Sequence, residues 1–391
     1  MKLRNHLNLA YCTNVHRGES WQETFASLKD YCLEVQKNVC PNDPFAIGLR
    51  LSARAASELC DSGTLDLFRG WLNRENCYVF TINGFPYGKF HGGRVKEQVY
   101  RPDWATPERL EYTLNLFRIL ESLIPDGGEG SVSTLPGSFK EFLVDENYSA
   151  EIRKNLDHCA TRIMELCDQS GKTLHLGIEP EPLGMVETST ETVELIQRIR
   201  EGSDCPEAVT RCLGVNYDTC HLAVEYEEPA EALGRFAHHD IRISKIHLSS
   251  AMKVRPTPDV LERLESFSED TYLHQVIARK KNNPLLTRFR DLPPALEAAR
   301  RNSGDPDEEW RIHFHIPLHY PSDQILSTTT DHIEGTLDVL AENPDLCHHL
   351  EMETYTWEVL PDSMKSRHVV EQLVEEYRWI LRELKSRNLA D

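Results

Sequence analysis

Short apolar runs alternate with amphipathic stretches from one end of the chain to the other. Runs of strand length, partly β-branched or aromatic and bounded by turn residues, fall at Asn8 to Cys12, Phe45 to Leu51, Tyr78 to Asn83, Gly130 to Thr134, Thr173 to Glu179, Cys212 to Tyr217, Ile243 to Leu248, Arg311 to Pro317 and His349 to Thr354. The stretches between them have helical spacing and start signals. Ser20 with Glu23 forms a capping box, Thr106 precedes Pro107, and Thr188 with Glu191 forms a second box, while Gly171 and Gly202 read as stops. The last stretch, Asp362 to Leu389, sets Val369, Val370, Leu373, Val374, Tyr377, Ile380 and Leu384 on one face, which predicts a helix lying on the outside of a sheet. Alternation of this kind predicts an α/β fold with parallel strands, closed into a (β/α)8 barrel.

Nine strand candidates are one more than such a barrel uses. The surplus coincides with Ala251 to Trp310, a region with Pro256, Pro258, Pro284, Pro293 and Pro294, a basic run Arg279-Lys280-Lys281, an acidic loop from Gly304 to Glu309, and little strand pattern. We read residues 251–317 as an excursion after the seventh strand that lies over the C-terminal face of the barrel, with Arg311 to Pro317 as a β segment returning from it. Residues 1–391 then form one barrel domain; a second small domain is the alternative.

Bulk properties narrow the function classes. The 391 residues are 40% hydrophobic and 27% charged, ordinary for a globular chain with a large core. A formal charge of −20 repels phosphate backbones, so no nucleic acid is expected as a partner. No apolar run is long enough for a signal peptide or a membrane span, which predicts a cytoplasmic protein with no membrane insertion. Eleven scattered cysteines without a Cys-x-x-Cys pair suggest neither a disulfide framework nor a thiolate zinc cage. A homo-oligomer is compatible with all of this.

The chemistry lies at the strand ends, where barrel strands deliver side chains to one face. Glu179 and Glu181 are two apart on an extended exit stiffened by Pro180 and Pro182; one of them need touch a cation, and Glu179 is nearer the strand. Asp218 and His221, three apart, can turn around one ion. His247 ends an apolar strand, and Lys245 shares its face, placed to pair with a carboxylate or meet a substrate oxygen. His313, His315 and His319 could reach the same cavity as ligands, as supports behind ligands or as part of a lid. Glu351 and Glu353 complete the circuit, with Glu353 nearer the rim. Asn14 and His16, and the segment from Thr81 through Asn83 and Phe85 to His91, read as polar and aromatic walls of a pocket for a small hydroxylated metabolite. Cys220 reads as a packed small residue. Hard and borderline ligands of this kind suit a divalent cation.

The ordered series Glu179, Asp218-x-x-His221, His247 and Glu353 resembles the xylose isomerase-like TIM-barrel superfamily, which includes sugar epimerases and isomerases, inosose dehydratases and the endonuclease IV type of nuclease. Tyr11-Cys12-Thr13-Asn14, Asn83-Gly84-Phe85-Pro86-Tyr87-Gly88, Glu179-Pro180-Glu181-Pro182 and Glu351 to Trp357 look like the EboE family of metabolite traffic proteins. The resemblance implies one divalent ion, manganese or zinc first and magnesium or iron otherwise, held by Glu179, Asp218, His247 and Glu353 with His221 close by. It further implies Glu179 and Glu353 as the acid/base pair. Glu181, Lys245, His313, His315, Glu351, Asn83 and His16 would bind substrate or support the ligands. The implied activities are isomerase, epimerase or lyase chemistry on a sugar, polyol or carbonyl compound, with a non-catalytic metabolite carrier and a nuclease as alternatives. His313-Phe-His315 is similar to the Asp-x-His of the nuclease branch and leaves room for more than one ion.

Overall fold

The structure, a computed structural model, describes residues 1–281, 283–301, 307–321, 326–365 and 368–391. Seven parallel strands come first: β1 (Asn8–Tyr11), β2 (Phe45–Arg50), β3 (Cys77–Asn83), β4 (Glu129–Thr134), β5 (Thr173–Ile178), β6 (Leu213–Asp218) and β7 (Ile243–Leu248). Five short strands follow, β8 (Met252–Val254), β9 (Val276–Lys280), β10 (Leu286–Phe289), β11 (Glu308–Ile312) and β12 (Ser327–Thr328), before β13 (His349–Met352) returns to the barrel. The barrel order is β1-β13-β7-β6-β5-β4-β3-β2, and a parallel bridge between Cys12 and Gly48 spans the remaining seam. Gly48 is fixed by space: a Cβ there would meet Glu351 Oε1 at 2.0 Å inside the lumen.

Helices between the strands start and stop largely where the side chains dictate. Ser20 and Glu23 make both bonds of a capping box. Thr188 caps its helix by accepting Glu191 N–H, but the Glu191 carboxylate takes the N–H of Glu187 instead, so the expected reciprocal box is half made. Gly171 ends its helix at φ 69°, the left-handed conformation that favours glycine, whereas Gly202 is simply the last helical residue. The final helix runs Val369–Ser386, and its expected apolar stripe is buried.

The stretch from 251 to 310 is richer in β structure than its pattern suggested. β8 to β12 form a second, antiparallel sheet in the order β10-β9-β11-β8-β12, with its own core of Val254, Val276, Leu296, Trp310, Ile312 and Phe314. Three of its five named prolines mark helix starts rather than lack of structure: Pro258 opens the helix Pro258–Leu264, and Pro293 and Pro294 lie in the first turn of Leu292–Arg301, while Pro256 and Pro284 lie in connecting loops. β8, β9, β10 and β12 escaped notice because they are short and most carry charge; in β9 and β11 the guanidiniums of Arg279 and Arg311 both lie 4.1 Å from the ring centre of Tyr226. The returning segment pairs earlier than expected, over Glu308–Ile312, and the sheet takes in Ser327–Thr328, past residue 317. Residues 304–306 of the acidic loop lie outside the described residues. Among the described residues no helix is long and apolar enough to cross a membrane.

One buried acid makes the fold sensitive to alkali. Glu376, on the final helix, is fully buried and accepts the Leu318 N–H at 3.3 Å; burial raises its pKa from 4.5 to about 8. The native state therefore holds a proton that the unfolded chain has lost, and stability falls as pH rises from about 4.5 to about 8, by up to roughly 1.4 kcal/mol per unit. Urea unfolding at pH 5 and pH 9 should show Glu376→Gln losing about 3–5 kcal/mol less than the parent over that interval. Equal losses would refute a protonated Glu376.

Candidate metal centre

Four neighbouring barrel strands each bring one ligand to the C-terminal rim. Glu179 follows β5, Asp218 ends β6, His247 sits in β7 and Glu353 follows β13. Asp218 is held in place because it also caps the helix Thr219–Val224, its Oδ1 accepting the N–H of His221 at 2.9 Å and the Ser249 hydroxyl at 2.6 Å. One ligand atom from each of the four lies within 4.8 Å of the other three, and all four residues are buried. His247 Nδ1 faces Glu179 Oε1 at 3.2 Å, Glu353 Oε2 at 3.3 Å and Asp218 Oδ2 at 3.6 Å.

The layer beneath orients these ligands. His247 Nε2–H donates to Glu351 Oε2 at 2.8 Å, which leaves Nδ1 toward the rim. Glu351 in turn accepts from Lys245 Nζ at 2.6 Å, and Lys245 also reaches Ser133 Oγ at 3.0 Å. Burial pushes the Glu351 carboxyl up, but Lys245 and His247 outweigh it and hold the pKa at about 2. On the other side, Asn14 and Asn83 both donate to Glu353 Oε1, at 2.8 and 2.9 Å, so only Oε2 is turned to the cluster.

Two observations fit this cluster to a divalent cation. Glu179 Oε2 and Asp218 Oδ2 are buried without any hydrogen-bond partner, a costly condition for carboxylate oxygens. Charge is also unbalanced: Glu179, Asp218, Glu351 and Glu353 face one lysine, and the imbalance raises the His247 pKa well above the usual histidine value, with Glu353 foremost in overcoming the effect of burial. Carboxylate oxygens with one imidazole are a donor set for manganese, zinc or magnesium.

Three further imidazoles stand beside it. His221 Nδ1–H donates to Pro180 O at 3.1 Å, His315 Nδ1–H to Glu353 O at 2.8 Å and His313 Nδ1–H to Gln275 Oε1 at 2.8 Å. The His313 and His315 rings are thereby committed to the tautomer that leaves Nε2 bare, and those Nε2 atoms have no partner; His221 differs, since burial is outweighed by Asp218 and Glu181 and its pKa is raised. Asp218, His221 and His315 form a second group with metal-ligand spacing, and Cys220, His313 and His315 a third. Burial raises the Cys220 thiol pKa well above its ordinary value, so it is no poised nucleophile.

The remaining expected residues divide. Glu181 lies 3.9 Å from His221 Nε2, and burial, with help from Asp218 and Glu353, raises its pKa to about 8. His16 instead bonds the Tyr11 hydroxyl at 2.9 Å and stacks on Tyr31, and it does not line the site cavity. His319 also stays out of that cavity; its charged neighbours, Glu375 and Arg382, belong to the final helix. In the cavity the centre of a water molecule can move through about 60 Å³, and its walls include Tyr100, Tyr272 and Gln275, which the sequence reading did not single out. No periodic signal marks Tyr272 or Gln275, since they lie in the excursion. Asn216, whose Nδ2 is 3.1 Å from His247 Nδ1, could have been found: it is two residues before Asp218 on the same strand face.

No family model matches the chain, and no curated protein matches it. Solved structures do. A xylose isomerase-like TIM barrel protein from Mycobacterium smegmatis, in complex with magnesium, is 14% identical with a TM-score of 0.52, over 99% of this chain and 100% of that one. The IolI protein with a binding zinc atom is 12% identical with a TM-score of 0.51, over 97% and 99%. The fold is a xylose isomerase-like TIM barrel. A D-tagatose 3-epimerase-like protein is also similar, at 14% identity and a TM-score of 0.49, over 96% and 99%.

The Lys245–Glu351 pair carries a measurable consequence. Lys245→Met leaves Glu351 buried without its cation and should cost about 3–5 kcal/mol in urea unfolding, whereas Lys245→Met with Glu351→Gln should recover most of that loss. A single variant as stable as the parent would contradict a charged pair in the lumen.

Proposed function

We propose that the protein is a divalent-metal-dependent isomerase or epimerase acting on a small hydroxylated carbonyl metabolite. The reading is carried by the convergence of Glu179, Asp218, His247 and Glu353, with two orphaned carboxylate oxygens, at the rim of a barrel. These four residues would hold the ion, and when bound it would polarise a substrate carbonyl and make the adjacent proton easier to remove. The protein's own part is proton transfer: Glu179 and Glu353 approach His247 from different strands, so one can take a proton from a substrate carbon while the other returns one. Asn14 and Asn83 keep Glu353 in a single orientation for that task. The fold shared with a magnesium-bound barrel protein and with zinc-bound IolI supports a metal at this rim without choosing between the two ions.

The EboE resemblance supports the further suggestion that the substrate belongs to a secondary-metabolite pathway. A carrier without turnover would use the same pocket, and the paired carboxylates favour the enzyme. A nuclease needs a basic face, and the cavity's lysine, Lys96, is already paired with Asp291 at 2.5 Å.

Elemental analysis of the purified protein should find about one or more equivalents of a divalent metal per chain, falling sharply in Asp218→Asn. Glu353→Gln should abolish metal-dependent exchange of a substrate proton with D2O while the urea midpoint barely moves. Retained exchange would remove Glu353 from proton transfer, and a metal-free parent protein would sink the assignment.

A further inference from the structure

The cavity above the ligands is unlike a polyol site. Its floor has Glu179 and Glu353 of the four-residue cluster with Glu181, His221 and His313, but its walls are Phe85, Phe90, Val95, Val99, Leu273 and Tyr355. Phe90, Tyr272 and Tyr355 come from three separate segments and pack as a triangle, with ring centres 5.1 to 5.2 Å apart pairwise.

Most polar groups on the walls are spent on the protein itself. Lys96 Nζ is bound to Asp291, so it cannot freely receive a phosphate. Gln275 donates its amide N–H to Pro182 O at 3.0 Å, and its Oε1 accepts from His313 Nδ1–H at 2.8 Å. Asn83 donates to Glu353 and accepts from Phe85 N, and the Tyr272 hydroxyl lies between Phe90 O and His91 Nδ1. Away from the floor, two buried side-chain atoms lining the cavity have no partner: Asn14 Oδ1 and the Tyr100 hydroxyl. A sugar chain brings a donor and an acceptor at every carbon, and desolvating them against these walls without partners would be costly.

Resting on the metal-site reading above, we infer that the substrate is a compact α-hydroxycarbonyl compound with an apolar or aromatic body, unphosphorylated and with no more than one or two oxygens beyond its chelating head. The head meets the ion at the floor, the body lies against the Phe90, Tyr272 and Tyr355 rings, and a distal oxygen meets Tyr100 or Asn14. Aromatic walls favour such a body through area burial and edge-to-face contact.

Calorimetry on the parent protein separates this inference from the reading beneath it. Manganese is titrated first, alone; failure to bind would overturn the metal site itself. On manganese-loaded protein, 2-hydroxyacetophenone, dihydroxyacetone, dihydroxyacetone phosphate and D-fructose are then compared. The inference expects 2-hydroxyacetophenone to bind at least about tenfold more tightly than the other three, and Phe90→Ala to weaken it about tenfold with manganese affinity unchanged. Tighter binding of fructose or of the phosphate ester, or no binding of the aromatic ketone to metal-loaded protein, would overturn it.

Discussion

Lys245 and Glu351 meet at 2.6 Å in the lumen, both without solvent exposure, directly beneath the candidate centre. Two charges so deeply buried are stable only as a pair supported by further hydrogen bonds, and here the lysine reaches Ser133 while Glu351 Oε2 also takes His247 Nε2–H, which leaves Glu351 Oε1 without a partner. The consequence is directional. A barrel filled with Val, Ile and Leu would leave the His247 ring free to choose its tautomer; this one presents Nδ1 to the rim, where three carboxylates converge. Gly48 belongs to the same arrangement, since any side chain there would occupy the place of the Glu351 carboxylate.

That arrangement also explains why the rim calls for a cation. Lys245 balances Glu351, and for the three carboxylates above it the nearest group able to carry positive charge is the His247 ring. Taking several like charges out of water is unfavourable unless a counter-charge sits among them, so the cluster costs stability that a bound cation would offset. The neighbouring imidazoles follow the same logic: Glu353 O and Gln275 Oε1 each claim an Nδ1–H and leave the Nε2 atoms of His315 and His313 bare, while His221 Nε2 faces Glu181 and Asp218 at 3.9 Å. Two groups with metal-ligand spacing share Asp218.

How much of this could be read from the residues depended on whether periodicity carried it. The eight barrel strands were legible because a strand buried on both faces is a nearly continuous apolar run, and their ends were legible because Glu179, Asp218, His247 and Glu353 each follow such a run. The antiparallel sheet was not, since strands of two to five residues with Lys and Arg among them leave no period to detect, and prolines that open helices look the same in sequence as prolines that prevent structure. His16 shows the opposite error: a polar residue just past a strand end looked like a pocket wall, but the helical turn Thr13–Val15 carries it round to Tyr11 and Tyr31. Tyr272 and Gln275 reach the site through tertiary packing alone.

The division between barrel and excursion follows from what each can fix. Strand ends are rigid, so the four converging side chains Glu179, Asp218, His247 and Glu353, whose mutual distances must be kept, stand on or just after β5, β6, β7 and β13. The roof comes from segments of other origin: Phe90 from the loop after β3, Tyr272 and Gln275 from the excursion, and Tyr355 from the turn after β13. Contacts between those three segments, such as Tyr272 to His91 and the three packed rings, hold the roof to itself as much as to the barrel. A site built this way can keep its metal geometry while its walls change, because no wall residue from the excursion also serves as one of the four converging ligands. Under the proposed function, chemistry would be set by the barrel, and the choice of substrate by the sheet and loops that line the cavity.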